Sequence, residues 1–128
     1  MHLIPPDRAG RRMIDSDRVC DAIAALGDTA QVAAWAARYS LLADPTRLSL
    51  LLCIDRVGPI SVSDLSAATD LPDTTVSQAL RFLRIVGAVQ ADRRGRVMLY
   101  TLADPLLAPL LDAVNPHPRL HHATGGAH

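Results

Sequence analysis

Between Thr74 and Arg81 the chain sets short hydroxyls, an amide and a guanidinium (Thr74, Thr75, Ser77, Gln78, Arg81) around the apolar Val76 and Leu80. At helical spacing Thr74, Gln78 and Arg81 share one stripe, and Val76, Leu80 and Leu83 mark the opposite, buried one. Gln pairs with adenine and Arg with guanine in the major groove, and hydroxyls reach phosphates or base edges. A second cluster follows in Asp92-Arg93-Arg94-Gly95-Arg96, where Arg93, Arg94 and Arg96 suit phosphate or minor-groove contact. From Arg81 to Arg96 there are five Arg and one Asp, although the chain as a whole has zero net charge. A local basic stretch on a neutral protein is the electrostatic footprint of a nucleic-acid binder.

The other chemistry-bearing residues are sparse. Histidines are confined to the ends of the chain, at His2, His117, His121, His122 and His128. No Ser-His-Asp order, Gly-rich phosphate loop or HExxH occurs, so the residues do not propose an enzyme. Cys20 and Cys53 stand 33 residues apart without a CxxC, which is no disulfide framework. They read first as small core residues. If the helices that carry them pack together, they also allow a redox-sensitive pair or a site for arsenite or another thiophile. Apolar neighbours raise a thiol pKa and lower its reactivity. All thirteen cations are Arg and all thirteen anions Asp, so any carboxylate ligand must be Asp. No apolar run approaches the roughly 18 residues of a membrane helix, and the arginines near the start precede no signal-like stretch. A cytoplasmic protein without membrane partners is expected.

The elements that must position the clusters follow from caps and periodicity. Residues 1–14, with Pro5, Pro6, Gly10 and three Arg, read as a disordered arm, and Met13 is an alternative start to Met1. Asp15-Ser16-Asp17 opens a helix that Gly27 ends. An Ala-rich helix over about 29–42 puts Val32, Trp35, Ala36 and Tyr39 on one face. Asp44-Pro45 starts an apolar helix that stops at Gly58-Pro59. A short helix over 61–68, with Val62, Leu65 and Ala68 inward, leads through Asp70-Leu71-Pro72 into a longer one capped by Asp73 and ended by Gly87. Alternating runs at 88–91 and 97–102 make a hairpin with a basic tip over 92–96. Asp104-Pro105 starts a last helix through Val114, and 115–128 form a flexible His-containing tail. The expected fold is mainly α with one β-hairpin, a winged helix-turn-helix in the order α-α-α-α-α-β-β-α, with one domain over 15–114. Taken singly, each piece also fits a capped surface helix or a solvated hairpin; their order is what points to DNA.

Leu41-Leu42-Ala43-Asp44-Pro45-Thr46-Arg47-Leu48 resembles the "LADPTR" opening of the ArsR/SmtB repressors. Asp64-Leu65-Ser66 is similar to their "DLA" helix. The run from Thr75 to Val89 resembles their recognition helix and its "LR-x-x-GLV" ending. Arg94-Gly95-Arg96 and Tyr100-Thr101-Leu102 are similar to their wing. The resemblance spans Leu41 to Val114; Ala79 departs from it, standing where a His is common. It implies a homodimer built from the first and last helices, here Val32 to Tyr39 and Leu106 to Val114. Two recognition helices roughly 34 Å apart then require an inverted-repeat operator, which an effector would release.

The resemblance also implies where effectors bind. The cysteine sites of the soft-metal sensors are missing, since Ile60 to Asp64 and the recognition helix hold no Cys. The interfacial D-x-H…H-x-x-[E/H] site is matched at Asp104 and His117 but not at Leu106 or Leu120. The tail is similar to those of actinobacterial nickel and cobalt sensors. It offers His117, His121 and His122 beside Asp104 as ligands for Ni, Co or Zn, metals that accept mixed N/O sets. The alternatives are a thiol-, redox- or arsenite-responsive repressor acting through Cys20 and Cys53, or a protein-interaction winged helix with no effector. The five Arg argue against the last.

Overall fold

The computed structural model describes residues 4–8 and 10–116, so His117, His121 and His122 lie outside the described residues. The chain divides at Ser40/Leu41 into two compact units. In the first, the expected disordered arm contains a 3-10 turn at Pro6–Arg8, closed by Arg8 N donating to Pro5 O at 2.9 Å. Proline's fixed φ already suits such a turn. Helix α1 (Ser16–Leu26) is capped by Asp15, whose carboxylate accepts from the N–H groups of Asp17 and Arg18, and it ends at Gly27. Helix α2 (Thr29–Leu42) begins where Asp28 accepts from Ala30 N at 2.9 Å. No residue of α2 is buried within the chain: Val32 is 46% and Tyr39 57% exposed.

The second unit holds the core. Helix α3 (Pro45–Val57) starts as its sequence requires, with Pro45 in the first turn and Asp44 Oδ2 accepting from Arg47 N at 3.0 Å. A two-residue strand β1 (Ile60–Ser61) follows, then α4 (Val62–Thr69), capped by Ser61 Oγ, and α5 (Asp73–Ile85). Strands β2 (Val89–Arg94) and β3 (Val97–Leu102) and helix α6 (Leu107–Val114) complete it. The sheet is antiparallel in the order β1-β3-β2, with Ile60 opposite Tyr100 and Val89 opposite Leu102. Leu50, Leu51 and Ile54 of α3, Leu65 of α4, Val76, Leu80 and Leu83 of α5, and Leu107 and Leu111 of α6 close one aliphatic core with Val89.

The mainly helical fold with one hairpin is as expected, with five local corrections. Strand β1 adds a third strand, because two residues leaving α3 suffice to pair with the free edge of β3. The hairpin is longer than its side chains suggest: β2 runs to Arg94, with Arg93 opposite Met98 and Arg94 opposite Val97. Charged side chains report solvent on both faces there, not the end of backbone pairing, and the turn shrinks to Gly95-Arg96. Gly95 has φ +63°, the left-handed first position that a two-residue hairpin turn demands. Asp73 is not the cap of α5; Pro72 holds that place, without a side-chain cap. The last helix begins at Leu107, because Asp104-Pro105-Leu106 first wraps into a turn with Asp104 Oδ1 accepting from Leu106 N. Within α4, Ala68 is exposed rather than inward.

Candidate nucleic-acid interface

The recognition surface is built from α5 outward. Val76, Leu80 and Leu83 are fully buried and anchor the helix along one side. That burial turns Thr74, Ser77, Gln78, Arg81 and Arg84 to solvent. Thr75 is half-buried and shares the flank of the helix with Ala79, so it stands at the edge of the exposed ridge. The entry to α5 is set by Asp70, whose left-handed backbone (φ 57°) reverses the chain out of α4, and by Pro72. Asp tolerates that conformation better than most residues. The exit is set by Gly87 (φ +82°), which lets Ala88 N donate to Leu83 O at 2.8 Å and aims β2 away from the helix.

Two concavities flank the ridge. Asp73, Thr74, Ser77, Gln78 and Arg81 line a hollow of about 340 Å³ at the amino-terminal end. Ser77, Arg81, Arg84, Ile85 and Tyr100 line a larger cleft of about 580 Å³ between α5 and the wing. Ser77 and Arg81 belong to both. Four of the five recognition-helix positions read from the sequence thus meet in one hollow. Asp73, Arg84 and Tyr100 were missed. Asp73 looked like a cap, Tyr100 like an ordinary strand residue, and only the i, i+4, i+7 spacing of Ser77, Arg81 and Arg84 could have flagged Arg84.

The three wing arginines do not stand alike. Side chains alternate across a strand, so Arg93 shares a sheet face with Val89, Ala91, Met98 and Tyr100. Arg94 falls on the other face, with Asp92, Leu99 and Thr101, and Arg96 sits in the turn. All three are exposed. Beside the recognition helix, the Arg47 guanidinium lies 5.1 Å from the centre of the Phe82 ring while its Nε donates to Leu41 O at 3.2 Å. This ties the start of α3 to the outer side of α5.

The metal and thiol candidates fare differently. Asp104 is the one proposed metal ligand among the described residues, and its Oδ1 caps the turn before α6 through Leu106 N at 3.1 Å. Leu106 is 45% exposed at the position where the resemblance places a His. No group of three His, Cys or Asp able to hold a metal occurs among the described residues, so they do not by themselves make the interfacial site. Cys20 is buried in the first unit and Cys53 half-buried in the second. Burial pushes the Cys53 thiol up from its ordinary value. Cys53 lines a mostly apolar groove of about 340 Å³ with Leu52, Val57, Ile60 and Ala68.

A short helix, a tight left-handed turn, a longer helix with a polar outer ridge and a basic hairpin define a winged helix-turn-helix protein of the DNA-binding class. Residues 44–91 match the family described as bacterial regulatory protein, arsR family. Over 90 residues the chain is 40% identical to the HTH-type transcriptional regulator NmtR of Mycobacterium tuberculosis, a match covering 70% of this chain and 74% of NmtR. The chain belongs to the ArsR family. It is also 39% identical over 79 residues to the transcriptional repressor SmtB homolog of Synechocystis, spanning 62% of this chain and 59% of that one. Among solved structures, the transcriptional repressor BigR from Xylella fastidiosa superposes with a TM-score of 0.62 at 29% identity, over 67% of this chain and 87% of BigR. The family is one of regulatory proteins, and this chain is a regulator rather than an enzyme.

Proposed function

We propose that this protein is a cytoplasmic repressor that holds an inverted-repeat operator as a two-fold homodimer and releases it on binding an effector. One observation carries the reading. The polar ridge of α5, Thr74-Ser77-Gln78-Arg81, is turned to solvent by the complete burial of Val76, Leu80 and Leu83 behind it. The side chains are of the types that read base edges, and Arg93, Arg94 and Arg96 supply phosphate contacts beside them. Pairing is supported within each unit separately. Helix α2 leaves Val32, Trp35 and Tyr39 unburied along one face; Leu106, at the cap of α6, and Val114, at its end, are about half exposed beside the buried Leu107 and Leu111. The related proteins named as repressors support blockage of transcription as the output. No helix among the described residues is long and apolar enough to cross a membrane.

The test is a mobility-shift titration on the protein's own upstream DNA across a salt series. Retardation that weakens with salt, at a stoichiometry of two chains per duplex, is expected. A complete lack of salt-sensitive binding would leave a protein-interaction winged helix as the better reading.

For the effector, a divalent Ni, Co or Zn ion held by His117, His121 and His122 with Asp104 is the leading choice. Four imidazoles within the last twelve residues favour it. Since Asp104 already serves as a cap, the tail histidines must carry most of the affinity. Titrating the operator complex with nickel, cobalt, zinc, cadmium and an oxidant separates the choices. A chain ending at Asn115 is expected to lose the metal response; if it keeps it, the tail does not bind the effector. A response to oxidant or arsenite that Cys53→Ser abolishes would favour the thiol reading instead.

A further inference from the structure

We propose that the cleft between α5 and the wing is a seat for one phosphodiester stretch of the bound duplex, gripped by Arg84 and Tyr100 together with Arg93. The proposal rests on the DNA-binding reading above and says where, within that surface, the sugar-phosphate backbone runs. Ser77, Arg81 and Arg84 recur at i, i+4 and i+7 and so form the helix wall of the cleft. Tyr100, on the central strand β3, forms the opposite wall. By the hairpin register Arg93 lies on the Tyr100 face, two residues along from Ala91, the partner of Tyr100.

Charge is sorted by face in the same sense. Among the described residues no carboxylate lines this cleft. The hairpin's one acidic residue, Asp92, falls on the opposite sheet face beside Arg94. Among the described residues neither Arg81 nor Arg84 has an ion-pair or hydrogen-bond partner for its guanidinium. Two unneutralised guanidiniums one helical turn apart repel each other, and an anion between them removes the repulsion. The remaining lining groups fit a nucleotide backbone. The hydroxyls of Ser77 and Tyr100 can donate to phosphate oxygens, and Ile85, 76% exposed, offers an apolar surface to deoxyribose. The adjoining hollow of Thr74, Gln78 and Arg81 is then left for base edges. The two concavities divide the labour, with Arg81 at their junction.

The experiment measures binding of the full chain and of Arg84→Gln, Tyr100→Phe, Arg93→Gln and Arg94→Gln to the cognate and to a scrambled duplex, between 50 and 200 mM salt. Each phosphate neutralised contributes about 0.9 to the slope of log K against log salt, so Arg84→Gln should lose about that much slope. Its deficit against the parent should therefore shrink roughly 3.5-fold over this range. The loss should be equal on both duplexes. Tyr100→Phe should weaken both duplexes equally with the slope unchanged, since a neutral donor releases no counterion. Arg93→Gln should lose more than Arg94→Gln. An unchanged slope for Arg84→Gln, or a loss confined to the cognate duplex, overturns the phosphate seat while the regulator reading stands. If the parent chain itself binds without salt dependence, both fall together. Arg84 is exposed and Phe keeps the Tyr100 ring, so thermal melting of these variants should match the parent.

Discussion

Arg81→Ala is the most discriminating single change to this surface. Arg81 is exposed, lies opposite the buried Leu80 side of α5, and has no ion-pair or hydrogen-bond partner among the described residues, so its truncation should leave the fold intact. It lines both concavities, so two kinds of contact are lost together. A bidentate contact to a base is worth about 1–3 kcal/mol of discrimination, which corresponds to a loss of roughly 5- to 160-fold in cognate affinity. The phosphate share of the loss falls on every sequence alike, whereas the base share falls on the cognate operator alone. Fluorescence anisotropy titrations on cognate and scrambled duplexes, run side by side at two salt concentrations, separate the shares. The cognate complex should weaken more than the scrambled one, and the ratio between them should fall. Equal losses on both duplexes would refute the reasoning: Arg81 would then touch only the backbone, and the hollow around Thr74 and Gln78 would not be where sequence is read.

Three further outcomes follow from packing and titration. Leu80→Ala removes a fully buried side chain from the centre of the face that anchors α5, and a loss of about 2–5 kcal/mol in urea-unfolding free energy is expected; a loss under 1 kcal/mol would mean the core closes over the gap. Gly58→Ala would bring a Cβ to 2.6 Å from Ile54 O in the last turn of α3 and 3.1 Å from Tyr100 O, both backbone atoms, so the end of α3 must shift and press on β3. Such overpacking costs about 1–3 kcal/mol, and weaker DNA binding should accompany it because Tyr100 moves with the strand; a melting temperature equal to the parent's would contradict the close approach. Burial raises the Cys53 pKa above its ordinary value of 9.0, so the fold favours the protonated thiol. The stability this confers is complete below the ordinary value and is lost as pH rises through the raised one. The difference in stability between the parent and Cys53→Ala should therefore narrow at alkaline pH, and a constant difference would show that the thiol titrates normally.

Much of the recognition surface was legible before any coordinates, for a simple physical reason. Helix starts and stops are local. Asp15 and Asp44 supply cap oxygens to N–H groups two or three residues on, and Gly27 and Gly87 take backbone angles that other residues avoid, so short windows of sequence contain the cause and the effect together. The same holds for the ridge on α5, where helical period alone sets Thr74, Gln78 and Arg81 against Val76, Leu80 and Leu83.

What tertiary structure decided are the features that depend on partners distant in the chain. Strand β1 exists because Ile60 and Ser61 meet Tyr100 and Leu99, a pairing that two residues cannot announce. The wing's charged segment gave no sign that β2 continues to Arg94, because polar side chains are silent about backbone pairing on an exposed ribbon. Its register then sent Arg93 and Arg94 to opposite faces, and the approach of β3 to α5 made Arg84 and Tyr100 walls of one cleft. Local propensity told which residues face water; only the folded chain told which of them face the same thing.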